Sequence, residues 1–223
     1  GAAAAWETVA GGLTGKVEGT NFTDSLLVGH TTTGTLSSCT ETTIVGIDAG
    51  DAITSGSSNV FVGKGAGTDV TTGFSNVFIG RHAGYNATDM NQCIAIGKNA
   101  LSSADPGNNN IAIGESAGDN ITGARNLCIG ENAGDNITSG SGNVIIASNQ
   151  DAPSATDDRQ LLIAGYDGST TNWIAGDSSG HLTFINDVIL DSDSCVLKFG
   201  DDQDTTLTHT DGTGLTLNGT NKL

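Results

Sequence analysis

Basic residues are scarce in this 223-residue chain: 8 Lys and Arg stand against 25 acidic residues, a formal net charge of −17. A field of that sign disfavours nucleic acid and anionic bilayers as partners. Aromatic residues make up 4% of the chain and charged residues 15%, short of the Lys-, Glu- and Leu-rich composition of helical domains. No apolar run is long enough to cross a bilayer as a helix, and no charged-then-apolar leader opens the sequence, so membrane insertion is not expected. The four cysteines (Cys39, Cys93, Cys128 and Cys195) contain no CxxC pair, so zinc sites and a disulfide framework lack their spacing. No Met opens the chain, which starts at Gly1 in a run of Ala and stops abruptly at Asn221-Lys-Leu223; both ends read as cuts in something longer.

What the chain has in quantity is Gly, 33 residues, and Asp, which supplies 20 of the 25 acids. Asp suits turns and strand ends, whereas Glu suits helix interiors, so an all-β fold is expected.

A short phrase recurs: Asn59-Val-Phe-Val-Gly63, Asn76-Val-Phe-Ile-Gly80, Cys93-Ile-Ala-Ile-Gly97, Asn110-Ile-Ala-Ile-Gly114, Asn126-Leu-Cys-Ile-Gly130 and Asn143-Val-Ile-Ile-Ala147. Weaker copies close at Gly29, Gly46 and Ala164, and a faint one at Gly12. From Gly29 to Ala164 every step is 17 residues except one of 16, where a residue is missing between Thr122 and Gly123. Three positions past each closing residue sits Ala (Ala49, Ala66, Ala83, Ala100, Ala117, Ala133), and a Thr column follows (Thr54, Thr71, Thr88, Thr122, Thr138). A fixed period with such columns predicts a parallel β-solenoid, or β-roll, of about nine or ten 17-residue rungs, each with two short strands and small-residue corners. Stacked Asn59, Asn76, Asn110, Asn126 and Asn143 form a corner ladder able to cross-link successive rungs through their amides. Residues 1–24 read as a lead-in, 25–164 as the shaft, and 165–223 as a hairpin-rich β segment that wraps around partner chains.

Three consecutive apolar residues precede each closing position, and strand alternation sends the middle one to the face opposite its neighbours. Placing the flanking pair inside the rung leaves the middle column outside: Leu27, Ile44, Phe61, Phe78, Ala95, Ala112, Cys128, Ile145 and Leu162. Soluble monomers do not leave such a stripe in water, so the column is expected to be the core of a homotrimer around a threefold axis. The alternative packs it within its own coil, under the other half of the rung.

The Asn-Val-Phe-Ile-Gly-x-x-Ala-Gly phrase resembles the head repeats of trimeric autotransporter adhesins, and over residues 25–223 the chain resembles tail-fibre proteins of marine bacteriophages. The second likeness also rests on Gly176-Asp-Ser-Ser-Gly180, Leu197-Lys-Phe-Gly-Asp-Asp202 and Thr208-His-Thr-Asp-Gly-Thr-Gly-Leu-Thr-Leu217. The resemblance implies an extracellular virion tail appendage. Its partners would be itself, other virion tail proteins, and a host cell-surface receptor or glycan. A bacterial surface adhesin of the same architecture is the alternative.

Catalysis is not expected. Asp191, Asp193, Asp201, Asp202 and Asp204 could supply a glycosidase pair, but turn-rich surroundings account for them, and there is no Gly-x-Ser-x-Gly elbow. No cofactor or metal ligand set stands out; calcium would suit the oxygens of Asp191-Ser-Asp193 and Asp202-Gln-Asp204, but no complete calcium loop surrounds them. A lone Thr column is a weak basis for an ice-binding array, since Thr ladders commonly decorate strand surfaces. Trp6, Trp173 and Tyr166 read as packing or junction residues, and Tyr85 as the exposed contact.

Overall fold

Each apolar triplet in the period becomes one three-residue strand, and the Gly that closes it turns the chain away. A computed structural model describes residues 5–9, 13–19, 22–29, 37–102, 106–185 and 188. The strands are β1 (Ala5–Val9), β2 (Leu13–Gly19), β3 (Phe22–Val28), β4 (Cys39–Thr40), β5 (Thr43–Val45), β6 (Val60–Val62) and β7 (Val77–Ile79). They continue as β8 (Ile94–Ile96), β9 (Ile111–Ile113), β10 (Leu127–Ile129), β11 (Val144–Ile146), β12 (Leu161–Tyr166), β13 (Thr170–Gly176) and β14 (Leu182–Phe184). Among the described residues there is no helix.

Nine strands, β3 and β5 to β12, stack in parallel and in register, from Leu26↔Thr43 at one end to Val144↔Leu161 at the other. The result is a parallel β-solenoid of about eight turns. Both sheet ends finish differently. β1–β2–β3 and β12–β13–β14 are antiparallel, and the residues at which the faint copy closes, Ala10 to Gly12, lie outside the described residues. Gly1–Asn186 and Asp187–Leu223 are separate units; of the second only Val188 is described, so Asp191, Asp193, Cys195, Asp201, Asp202, Asp204 and the hairpins expected there lie outside the described residues.

Among the described residues the expected second strand of each rung appears only once, as the two-residue β4 paired with β3. Between strands the chain runs through turns, because several positions per turn adopt positive φ that extended backbone cannot follow. In one turn these are Gly80 (φ 137), His82 (φ 60), Gly84 (φ 59) and Gln92 (φ 58). At the closing position a side chain is barred by space as well: a Cβ on Gly97 would lie 2.3 Å from the Gly114 carbonyl oxygen one turn on.

The inside and outside of the triplet are also reversed from expectation. Leu27, Ile44, Phe61, Phe78, Ala95, Ala112, Cys128 and Ile145 are each 0% exposed, and Leu162 is 3%, inside a single chain. The flanking residues are the ones half-buried or exposed. The middle column is therefore the interior of the coil and cannot line an axis between chains. The reason is size. A three-residue strand offers one inward side chain, and the following turn folds its Ala and its next apolar residue (Ala66 and Val70, Ala117 and Ile121) beneath it, all buried.

Volume is balanced from turn to turn. Phe61 and Phe78 stack with ring centroids 5.1 Å apart. Gly67 and Gly84 make room for them: a Cβ on Gly84 would come within 2.6 Å of the Phe78 ring. After Ala95 the same turn position holds Leu101, fully buried, which replaces the missing volume. Its φ of 50° carries a backbone cost of about 1 kcal/mol or more, offset by filling the gap.

Candidate interaction surface

One corner of every turn is held by a buried polar ladder made of Ser25, Thr42, Asn59, Asn76, Cys93, Asn110, Asn126, Asn143 and Gln160. Each side chain from Ser25 to Asn143 accepts the backbone N–H of the ladder residue one turn later, and Gln160 at the end accepts the Ser154 N–H instead. Examples are Asn76 N–H to Asn59 Oδ1 at 3.0 Å, Cys93 N–H to Asn76 Oδ1 at 3.0 Å, and Gln160 N–H to Asn143 Oδ1 at 2.8 Å. The amide nitrogens donate to carbonyls of the next turn: Asn59 to Gly73, Asn76 to Met90, Asn110 to Gly123 and Asn126 to Gly140. At Asn143 the pattern stops; Gln160 Nε2 takes the Asp157 carbonyl, and Asn143 Nδ2 has no partner. The five Asn singled out from sequence thus sit in one ladder, which has no solvent-facing surface and cannot bind a ligand.

The surface open to other molecules comprises the outward face of the sheet and the corner just after it. On the face, two columns of flanking residues run the length of the coil, apolar except at Thr43. Leu26 (38% exposed), Val45 (37%), Ile79 (39%), Ile113 (37%) and Ile146 (37%) mark its most open points. The apolar triplets mark this face in the sequence, and the coil turns their flanking members outward and the middle one inward.

The corner column follows each closing residue: Ile47, Lys64, Arg81, Lys98, Glu115, Glu131 and Ser148. Hydrogen bonds hold it in register, with the N–H after each residue donating to the carbonyl one turn earlier: His82 to Lys64, Asn99 to Arg81, Ser116 to Lys98 and Asn132 to Glu115, all at 2.8–2.9 Å. Lys64, Arg81 and Lys98 are exposed and occupy three successive turns. Lys98 pairs with Glu115 across the boundary to the acidic half. Among the described residues neither Lys64 nor Arg81 has an ion-pair partner. His82 lies over Gly65 and against Tyr85, ring centroids 4.8 Å apart, so Tyr85 is half-buried rather than open. Burial first, then the Arg81 and Lys64 charges, lower the His82 pKa against a weaker pull from Asp48, and the ring is neutral at neutral pH.

A cavity of about 510 Å³ lies where the coil meets β13, lined by Asn132, Asp135, Asn149, Asp151, Leu162 and Asn172 among others. Burial, a hydrogen bond to the Asp151 carboxyl and the charges of Asp151 and Asp119 push Asp135 above the usual carboxylate range. Among the described residues no group of three or more His, Cys, Asp or Glu is placed to hold a metal ion. Hydroxyls of the Thr column donate to the next turn's backbone, as Thr54 does to Thr71 and Thr138 to Ala155, rather than forming a free array. Tyr166 (49% exposed) and Trp173 (53%) are open on the β12–β13 hairpin, not buried at a junction. Among the described residues no helix is long and apolar enough to cross a membrane.

Comparison with protein-family models, with curated proteins and with solved structures returns no match. The solenoid is therefore read from its own geometry.

Proposed function

We propose that the chain is the rigid shaft of an extracellular virion appendage, a tail fibre that assembles as a parallel homotrimer and supports attachment to a host surface. The carrying observation is the outward sheet face, two apolar columns about 40 Å long at the usual strand spacing, on a molecule of net charge −17. Among the described residues the coil itself offers one narrow face of this kind, beside exposed Trp173, Leu182, Phe184 and Ile185 at its end, and three such faces close around an axis. This moves the interchain contact from the middle column to its neighbours. In-register backbone hydrogen bonds along nine strands supply the stiffness a spacer needs. Other tail proteins at its ends and a host receptor or glycan are the partners of this role. The adhesin-like Gly-x-x-Ala-Gly rungs favour a bacterial surface fibre as the second reading.

Light scattering tests the assembly. A mass of about 67 kDa, three times 22.4 kDa, supports the trimer. The combined variant Ile79→Ser, Ile113→Ser, Ile146→Ser should give a folded 22.4 kDa monomer with an unchanged circular dichroism spectrum. A wild-type monomer, or a trimer indifferent to these substitutions, rejects the assignment.

A further inference from the structure

Three of the 8 basic residues of a chain with net charge −17 fall in one column on three consecutive turns. Register holds Lys64, Arg81 and Lys98 at about the 4.8 Å spacing of stacked strands, so like charges stand next to one another. Nothing in the coil requires this. The same column accepts Ile47 before the three and Glu115, Glu131 and Ser148 after them, with the backbone pattern unchanged. Two of the three cations have no carboxylate partner among the described residues, and beside them lie the His82 and Tyr85 rings in contact. The acidic groups near this patch include Asp48 on one side, Glu115 on the other, and Asp69, whose N–H donates to the Tyr85 carbonyl at 3.1 Å.

We propose that the Lys64–Arg81–Lys98 ladder, with the His82–Tyr85 pair at its flank, is a binding site for a linear acidic polysaccharide that carries about one carboxylate per sugar. The match is in spacing. Successive cations about 5 Å apart along a straight line meet charges carried once per sugar ring along an extended chain, and the two rings supply an apolar surface for a sugar face. The footprint is short, about 10 Å from first to last cation, or two to three sugars, because Glu115 and Glu131 repel a longer polyanion along the same line. Duplex nucleic acid fits poorly: it carries a charge every ~1.7 Å and would bring many phosphates against an acidic molecule. Weak single-site binding suits a fibre, since three ladders on one trimer multiply weak contacts into strong attachment. This deepens the attachment reading and rests on it for that multiplication alone.

The test uses the full chain and a hexasaccharide of uronic acid residues, its methyl-esterified counterpart and a short DNA duplex, titrated by calorimetry at 20 and 200 mM salt. The free hexasaccharide should bind at 20 mM salt and weaken about a hundredfold at 200 mM, as for three released counterions; the neutral ester should not bind. Lys64→Ser, Arg81→Ser, Lys98→Ser together should lower affinity at least tenfold. The control Arg125→Ser, Arg159→Ser, which removes two cations elsewhere, should leave it unchanged. Absence of binding at 20 mM salt, or equal loss in the control, overturns the site. Tighter binding of the duplex reassigns the ladder to nucleic acid and overturns it too. So does a low-salt rise in mass that the triple variant abolishes, which would give the ladder to Glu115 and Glu131 of a second copy. Light scattering on the same samples separates the two readings: a trimer that ignores the sugar overturns only the ladder, and a monomer that binds it overturns only the trimer.

Discussion

Asn76 does two jobs in one buried place. Its carbonyl accepts the Cys93 N–H and its nitrogen donates to the Met90 carbonyl, so one side chain satisfies two backbone groups that no strand pairing reaches. Asn76→Ala leaves both without a partner and should cost about 2–4 kcal/mol, read as a shift in the chemical denaturation midpoint. The thiols answer to the same dry interior. Burial raises Cys93 to about 11 and Cys128 to about 12 from an ordinary value of 9.0, and raises Cys39 against a smaller opposing hydrogen bond from Thr42. A folded pKa above the unfolded one favours folding fully below pH 9 and loses that contribution as pH climbs through 11 and 12. Melting temperature should accordingly fall across that interval, and less steeply in Cys93→Ser, Cys128→Ala. Asp135 behaves alike at the acid end. Its raised pKa contributes stability below about pH 3.8 that is lost as the carboxyl ionises beside Asp151. Asp135→Asn should raise the melting temperature at pH 7 and leave it nearly unchanged at pH 3.

At the scale of the strand and its turn, the period, the register and the Asn ladder were all legible, because stacking converts sequence identity directly into spatial columns. The direction of the triplet was not. Alternation says that Val77 and Ile79 share a face and Phe78 takes the other, but either face could be apolar on pattern alone. What decides is the turn, where Ala83 and Gly84 return under Phe78 and leave no room for two inward residues. The sequence carries a signal in the position six residues after the triplet centre, which is Gly at 50, 67, 84, 118 and 134 and leaves room for an inward centre, with Leu101 after Ala95 the exception between them. The charged corner was equally visible letter by letter, yet three cations 17 residues apart look unrelated until the coil sets them side by side. The turn also misled by its composition, since Gly- and Asn-rich segments fit short strands and left-handed turns alike. Phe78→Ala should cost about 3–5 kcal/mol, with Phe61 losing its stacked neighbour, and should unfold the chain before it alters any contact between chains.

Taken whole, the coil has only neighbour-to-neighbour contacts, so its stability is the sum of its turns and the interfaces between them. Antiparallel pairs at both ends of the sheet, β1–β2 and β13–β14, place hairpins where bare parallel edges would otherwise recruit further strands. Within those ends the sixteen-residue turn shows what the design tolerates. Leu127 still pairs with Ile111, and Asn126 still bonds to Asn110, although one residue is absent before Gly123. The loss falls at the position after Thr122, where other turns carry an exposed Thr72, Asp89 or Ser139, so the strands and the ladder never register it. Such a molecule keeps distance by counting turns and not residues. It is a ruler with equal graduations, and its reach can be lengthened or shortened by whole marks while the scale between them stays the same.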